Sequence, residues 1–166
     1  MPEGELRRKD RETSRTDVQD CLDRALVGRV GTVGPDGGPY VVPMNFVFEP
    51  PSKRVYLHCA NTGHLLDNLA GNDRVCFEVD EPGELLATGP AGCDTSQAFQ
   101  SVICFGRAHI VTGSTERDDA LRIFVQKYVD RLMPNRVYDP EMKALDETTV
   151  IAIDVERMTG KRRPSN

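Results

Sequence analysis

Two hydrophobic periods share this chain, and the place where one gives way to the other sets its architecture. Val18, Cys21, Leu22, Ala25 and Leu26 recur at i, i+3, i+4, i+7 and i+8, the apolar stripe of an amphipathic helix. Thr16 is its predicted N-cap and Gly28 its stop. Beyond Gly28 the period shortens to two. "RVGTV" and "YVVPMNFVF" flank "GPDGG", in which Asp36-Gly37 signals a hairpin turn. "RVYLHCA" is a third predicted strand, and a helix over residues 61–71 leads into "RVCFEVD", a fourth. "SVICFGRAHIVTG" and "TTVIAIDVERM" make the fifth and sixth. Between them Leu121, Phe124, Val125, Tyr128, Val129 and Leu132 return to the helical period. Ser114 or Thr115 is expected to cap that helix and Pro134 to stop it.

One stretch breaks both periods. Residues 81–100, "EPGELLATGPAGCDTSQAFQ", are rich in Gly, Pro, Ser and Thr and read as a loop. So long a loop inside a compact domain is a functional or mobile segment. Residues 1–15 carry charge without period and read as a flexible arm. Residues 16–160 form one domain, and residues 161–166 a basic tail.

Some strands are apolar on both faces. Val41, Pro43 and Val47 alternate with Val42, Met44, Phe46 and Phe48, so both sides of this segment are expected to be covered. Antiparallel strands on short turns, with few helices, point to a small β-barrel rather than a doubly wound sheet. The surplus of outward apolar side chains points to a dimer.

Composition narrows the function. A chain of 166 residues with formal net charge -5 buries enough surface to need no metal or disulfide staple. Its mild acidity argues against a nucleic-acid footprint over the whole domain. No apolar run is long enough to span a membrane. The opening "MPEGELRRKDRETSR" lacks the apolar core of a secretory signal. Five cysteines form no CxxC pair, which fits reduced thiols in a cytoplasmic protein.

"YLHCANTGHLLDNLAGN" concentrates the candidate chemistry, with His58, Cys59 and His64 inside seven residues. Strand alternation turns His58 and Cys59 to opposite faces, so they do not share one metal ion, and no metal site is expected. The glycines of "GRVGTVGPDGG" precede a strand and a turn, where a dinucleotide fingerprint needs a helix. Ser96, His64 and Asp67 have no spacing logic as a triad. An anion site fits "ANTGHLLDNL" better. Asn61 or Thr62 caps a helix there, Gly63 permits close approach, and first-turn amides with His64 can donate to a phosphate.

"GRVGTVGPDGGPYVVPMNFVF", "RVYLHCANTGHLLDNLAGNDRVCFEVD" and "SVICFGRAHIVTG" in this order resemble the FMN-binding split β-barrel superfamily, which includes the pyridoxamine 5'-phosphate oxidases. "RRKDRE", the "CD" before "SVICFGRA" and "TGKRRP" are most similar to its nitroimidazole-resistance branch. The resemblance runs from about Arg7 to Pro164. It implies a mainly β fold: a six-stranded antiparallel split barrel of Greek-key type with flanking helices, homodimeric, with FMN at the subunit interface.

Mapped by resemblance, Val42, Pro43, Met44 and Asn45 face the flavin ring, with His58 and Cys59 on the next strand. Gly63, His64 and Leu65 occupy the phosphate loop, and Ser101 is a ring-facing polar residue. Leu65 stands where the branch carries a phosphate lysine, and Val42 where the oxidases carry an arginine. Either the helix-end amides with His64 hold the phosphate alone, or Arg107, Lys161 or Arg162 are compensating cations. The function so implied is an FMN-dependent oxidoreductase. NAD(P)H or another donor reduces the flavin, a small molecule such as a nitroaromatic accepts the electrons, and the 81–100 segment is a lid. No side chain serves as an indispensable acid or base. The alternative is a non-catalytic FMN- or haem-binding sensor or scavenger, with His58, His64 or His109 as axial ligands.

Overall fold

The computed structural model describes residues 6–87, 89–131, 133, 135 and 148–165. Seven antiparallel strands form one sheet in the order β2-β1-β5-β6-β7-β4-β3. They are β1 (Gly28–Val33), β2 (Pro39–Met44), β3 (Phe46–Glu49), β4 (Arg54–Ala60), β5 (Arg74–Ala87), β6 (Thr95–Ile110) and β7 (Thr148–Arg163). The two ends of that order, β2 and β3, are separated in the chain by Asn45 alone. The sheet must therefore curl until its edges meet, and the result is a barrel with one unpaired seam.

The interior confirms the closure, because one apolar cluster draws on strands from the whole circuit. Val30, Phe46, Val55, Leu57, Val75, Phe77, Val79, Val102, Cys104, Ile151 and Ile153 are buried together. Alternation puts Val75, Phe77 and Val79 inward and leaves Cys76, Glu78 and Asp80 less buried on the other face. Helix α1 (Arg15–Arg24) adds Val18, Cys21 and Leu22 to this core, and α2 (His64–Gly71) adds Leu65. A second cluster lies on the opposite face. Val47, Tyr56, Val150 and Ala152 are covered by Ala120, Leu121 and Phe124 of α3 (Ser114–Phe124). A π-helical segment, Val125–Asp130, continues α3.

Several expectations are corrected here. The segment read as one strand, "YVVPMNFVF", breaks at Asn45, so the described residues form seven strands where six were expected. Asn45 leaves the sheet to donate its side-chain amide to the Leu26 carbonyl at 3.0 Å. Residues 81–100 are not a loop. β5 runs to Ala87 and β6 starts at Thr95, with Leu85 opposite Gln97 and Ala87 opposite Thr95. Pro82-Gly83 reads as a breaker, but a register shift between Pro82 and Leu85 absorbs it. Within this segment only the connection between Ala87 and Thr95, with a 3-10 turn at Gly92–Asp94, lies outside the strands.

Boundaries move as well. Helix α1 is capped by Ser14, whose hydroxyl accepts from the Asp17 amide at 3.1 Å, and not by Thr16. It ends at Arg24, well before Gly28. Gly28 is required by packing instead, since a Cβ there would lie 2.1 Å from the Phe77 ring. Asn61 and Thr62 precede α2 without capping it; its N-cap is Gly63, and that of α3 is Gly113. The arm is tied down in part, by a bridge between Glu12 and Lys161. Lys161–Arg163 are no tail but the end of β7, opposite Phe99–Ser101. Residues 1–5, Leu132 and Pro134 lie outside the described residues.

The predicted hairpin turn stands where expected, in a longer connection. Gly37 donates to the Gly34 carbonyl at 2.9 Å, and Gly34 to that of Gly38 at 2.8 Å. Pro35 supplies its fixed φ, and Gly37 takes φ +80°, which glycine adopts without strain. The two-sided cover holds for β3, where Phe46 and Val47 are both buried. On β2 the single chain covers one face only, and Val41 on the other is 64% exposed. No helix among the described residues is long and apolar enough to cross a membrane.

Candidate functional site

The site centres on the start of α2. After β4 the chain bends through 61–63, and Gly63 adopts φ +145° and ψ 165°, a region essentially reserved for glycine. A Cβ on Gly63 would meet nothing within 4 Å, so the backbone lies open to a ligand. The Asp67 amide bonds the Gly63 carbonyl at 3.1 Å. The amides of His64, Leu65 and Leu66 precede the first α-helical bond and have no carbonyl four residues back within the helix. No side chain caps the helix. The residue that would do so is engaged elsewhere: Asn61 Oδ1 accepts from the Thr149 hydroxyl at 2.8 Å.

His64 stands exposed at this end, its ring stacked on Tyr40 of β2 at 4.3 Å and 14°. Tyr40 shares the inward face of β2 with Val42 and Met44, which pack against the barrel core. Leu65 is only 7% exposed and belongs to that core. Its side chain is thus unavailable to a ligand, and its contribution can only come from the backbone. Pro43 faces outward, opposite Arg29.

His58 and Cys59 do diverge as alternation requires. Cys59 packs toward the barrel core, where burial raises its thiol pKa. His58 lies on the α3 side, edge-on to Phe124 at 4.6 Å and 88°, and desolvation there lowers its pKa. Ser101 sits on β6 between Asp80 and Lys161. Three strand spacings separate β2 from β6, on the order of 14 Å. One chain therefore brings together Val42, Met44, Cys59 and Leu65 in its core and Gly63 and His64 at its helix start. It leaves Ser101 and His58 apart.

Of the compensating cations, Arg107 is held by Asp73 at 2.7 Å and by Glu156 at 3.3 Å. Arg162 faces Asp17 at 3.7 Å. Lys161 remains beside Ser101 on the outer face of the barrel. The three histidines occupy three unrelated settings: His58 on Phe124, His64 on Tyr40, and His109 beside Asp154 at 3.3 Å. Among the described residues no group of three or more His, Cys, Asp or Glu could hold a metal ion.

Tyr40 escaped sequence reasoning, because its link to His64 spans 24 positions with no local signal. So did the buried pair behind it, in which Asn68 Nδ2 donates to the Thr32 hydroxyl at 3.0 Å. Tyr128 was legible only as a core position. Its hydroxyl accepts from the Phe46 amide at 2.9 Å and has the Leu26 and Phe46 carbonyls at 2.7 and 2.8 Å. It thereby pins the start of β3 at the barrel seam.

The family model described as pyridoxamine 5'-phosphate oxidase matches residues 14–162. The 5a,11a-dehydrotetracycline/5a,11a-dehydrooxytetracycline reductase of Streptomyces rimosus is 28% identical over 139 residues, covering 82% of this chain and 89% of its own. A crystal structure from Bacteroides thetaiotaomicron, assigned as a 5-nitroimidazole antibiotic resistance protein, superposes with TM-score 0.74 at 27% identity. It covers 90% of this chain and 84% of that one. The flavocytochrome Anf3 of Azotobacter vinelandii shares the fold, with TM-score 0.76 at 24% identity over 92% of this chain and 68% of its own. The chain belongs to the pyridoxamine 5'-phosphate oxidase family.

Proposed function

We propose that this family member is a homodimeric flavin-dependent reductase that carries electrons from NAD(P)H through FMN to a small oxidised organic molecule. The observation that carries the reading is the open start of α2. Three backbone amides, an unobstructed Gly63 and the ring of His64 form a donor set suited to a phosphate. The residues fit the group, with one qualification of charge. Neither Leu65 nor Val42 supplies a cation, so helix amides and His64 bear the binding.

Bound FMN supplies the redox chemistry; the chain binds and orients it. The amides of His64, Leu65 and Leu66 hold the phosphate, while Tyr40 fixes the His64 ring by stacking. The β2 backbone from Val42 to Asn45 borders the flavin ring. The exposed outer face of β2, with Val41 and Pro43, is where the second copy packs, and the partner brings its outer face and Ser101 toward the same cleft. A relative named a reductase and a neighbour assigned to nitroimidazole resistance support reduction and suggest a nitroaromatic or polycyclic acceptor.

The test is spectroscopic. The purified dimer, titrated with FMN, is expected to develop bound-flavin absorbance that NADPH bleaches anaerobically and a nitroaromatic restores. A protein that binds no FMN sinks the proposal. One that binds FMN but transfers no electrons leaves the carrier alternative in its place.

A further inference from the structure

A second reactive position lies outside the α2 region, in the π-helical segment that continues α3. Lys127 is drawn into the joint between α3 and α1. Its Nζ donates to the Leu22 carbonyl at 3.0 Å and sits 3.9 Å above the centre of the Phe46 ring. The Tyr128 ring lies 5.7 Å away. Burial there brings the amine down to about 8, with Asp23 favouring and Arg131 opposing its charge. Lys127 also lines a solvent-open cavity of about 330 Å³ with Asp23, Phe48, Ile123, Gln126 and Arg131. Among the described residues Arg131 Nη1 donates to the Asp23 carbonyl at 3.0 Å, and a guanidinium carries further donors that an anion can meet. A nucleophilic amine, a guanidinium and an apolar wall thus share one small cavity. π-helical turns are frequently retained at functional sites, and this one sets Lys127 and Arg131 one turn apart.

We propose that Lys127 is a covalent capture site for small anionic aldehydes, held through their anionic group by Arg131 and bonded to Nζ as an imine. The neutral amine attacks the carbonyl carbon with its lone pair, and the carbonyl π pair moves to oxygen. Protonation of that oxygen gives a carbinolamine, and loss of one water molecule leaves the C=N bond. Both hydrogens of the amine depart with that water, and no oxidant or reductant enters. The cavity is too small for a dinucleotide, and this site operates whether or not the chain binds flavin.

The experiment is reductive trapping of the purified full-length protein with glyoxylate and cyanoborohydride at neutral pH, followed by peptide mass spectrometry. Burial holds more of the Lys127 amine in its neutral, nucleophilic form, so it is expected to label about tenfold faster than Lys9, Lys53 and Lys161. Acetaldehyde is the neutral control, with the amino-terminal amine as internal standard. Arg131→Gln should cut glyoxylate labelling of Lys127 several-fold more than acetaldehyde labelling, which falls only as far as loss of the neighbouring cation lets the amine keep its proton. Labelling of Lys127 no faster than Lys53 or Lys161 overturns the site. Equal preference for the two aldehydes in wild type and Arg131→Gln overturns the assignment of the anion to Arg131.

Discussion

The carboxyl end of α1 and the amino end of α2 pose the same problem with opposite sign, and the chain treats them differently. At α1 three successive carbonyls are taken. Cys21 O receives the Ala25 amide, Leu22 O receives Lys127, and Asp23 O receives Arg131. Leu26 O, just beyond, receives Asn45 and lies within bonding distance of Tyr128. At α2 the amides meet no side chain, although Asn61 stands close by in sequence and spends its carbonyl oxygen on Thr149. A helix end whose neighbouring Asn61 is committed elsewhere leaves first-turn amides that an anion can meet. A helix end filled from three directions is a joint.

The strongest way to break this contrast is to damage the joint. Tyr128→Phe removes the hydroxyl that satisfies the Phe46 amide at the barrel seam. A buried backbone donor left without a partner costs about 1–3 kcal/mol. The urea midpoint should fall accordingly, while FMN affinity, set at α2, should change little. Parallel loss of both would show that the two ends are not separate devices.

Gly63→Ala tests the open end. At φ +145° and ψ 165° an alanine costs about 1–3 kcal/mol, which the chain can relieve only by rotating the first-turn amides away. Stability should fall by the smaller part of that figure and FMN affinity by about tenfold. Lost stability with intact affinity would mean that the amides are not the phosphate donors. His64→Ala is milder. It deletes one donor of an exposed, stacked ring, worth about 0.5–1.5 kcal/mol, so a several-fold rise in Kd by fluorescence titration is expected with almost no change in midpoint.

The sequence made the joint and the open end unequally visible. Local periodicity found the strands because alternation is a property of neighbours: Val75, Phe77 and Val79 are buried as a period of two demands. It placed Val18, Cys21 and Leu22 inside for the same reason. It failed where tertiary structure overrides local signals, as at Pro82-Gly83, whose breaker character a bulge absorbs. The helix start after Gly63 was legible because its signal is contiguous in the chain. Tyr40 was not, since a stack between residues 40 and 64 exists only once β2 and α2 are folded together. Leu65 was read as a ligand position, and its burial shows the core has claimed the side chain.

The smallest expected effect concerns the charge inside the joint. Lys127 titrates near 8 in the folded protein against 10.5 for an ordinary lysine, so between those values the unfolded chain binds more protons. Stability must then rise with pH over that window. The buried thiols act in the opposite sense. Cys21 and Cys104 are raised to about 11 and about 12 from 9.0, so their contribution is lost as pH climbs above 9. The Lys127 effect is therefore read most cleanly between about pH 7.5 and pH 9. Lys127→Met keeps the aliphatic stem over Phe46 and removes the titrating amine. Measured by urea unfolding, wild type should gain stability relative to Lys127→Met as pH rises through this interval. A constant difference across the interval would mean that the amine stays charged throughout, and that the joint tolerates a buried ammonium because Leu22, Phe46 and Asp23 together outweigh its desolvation.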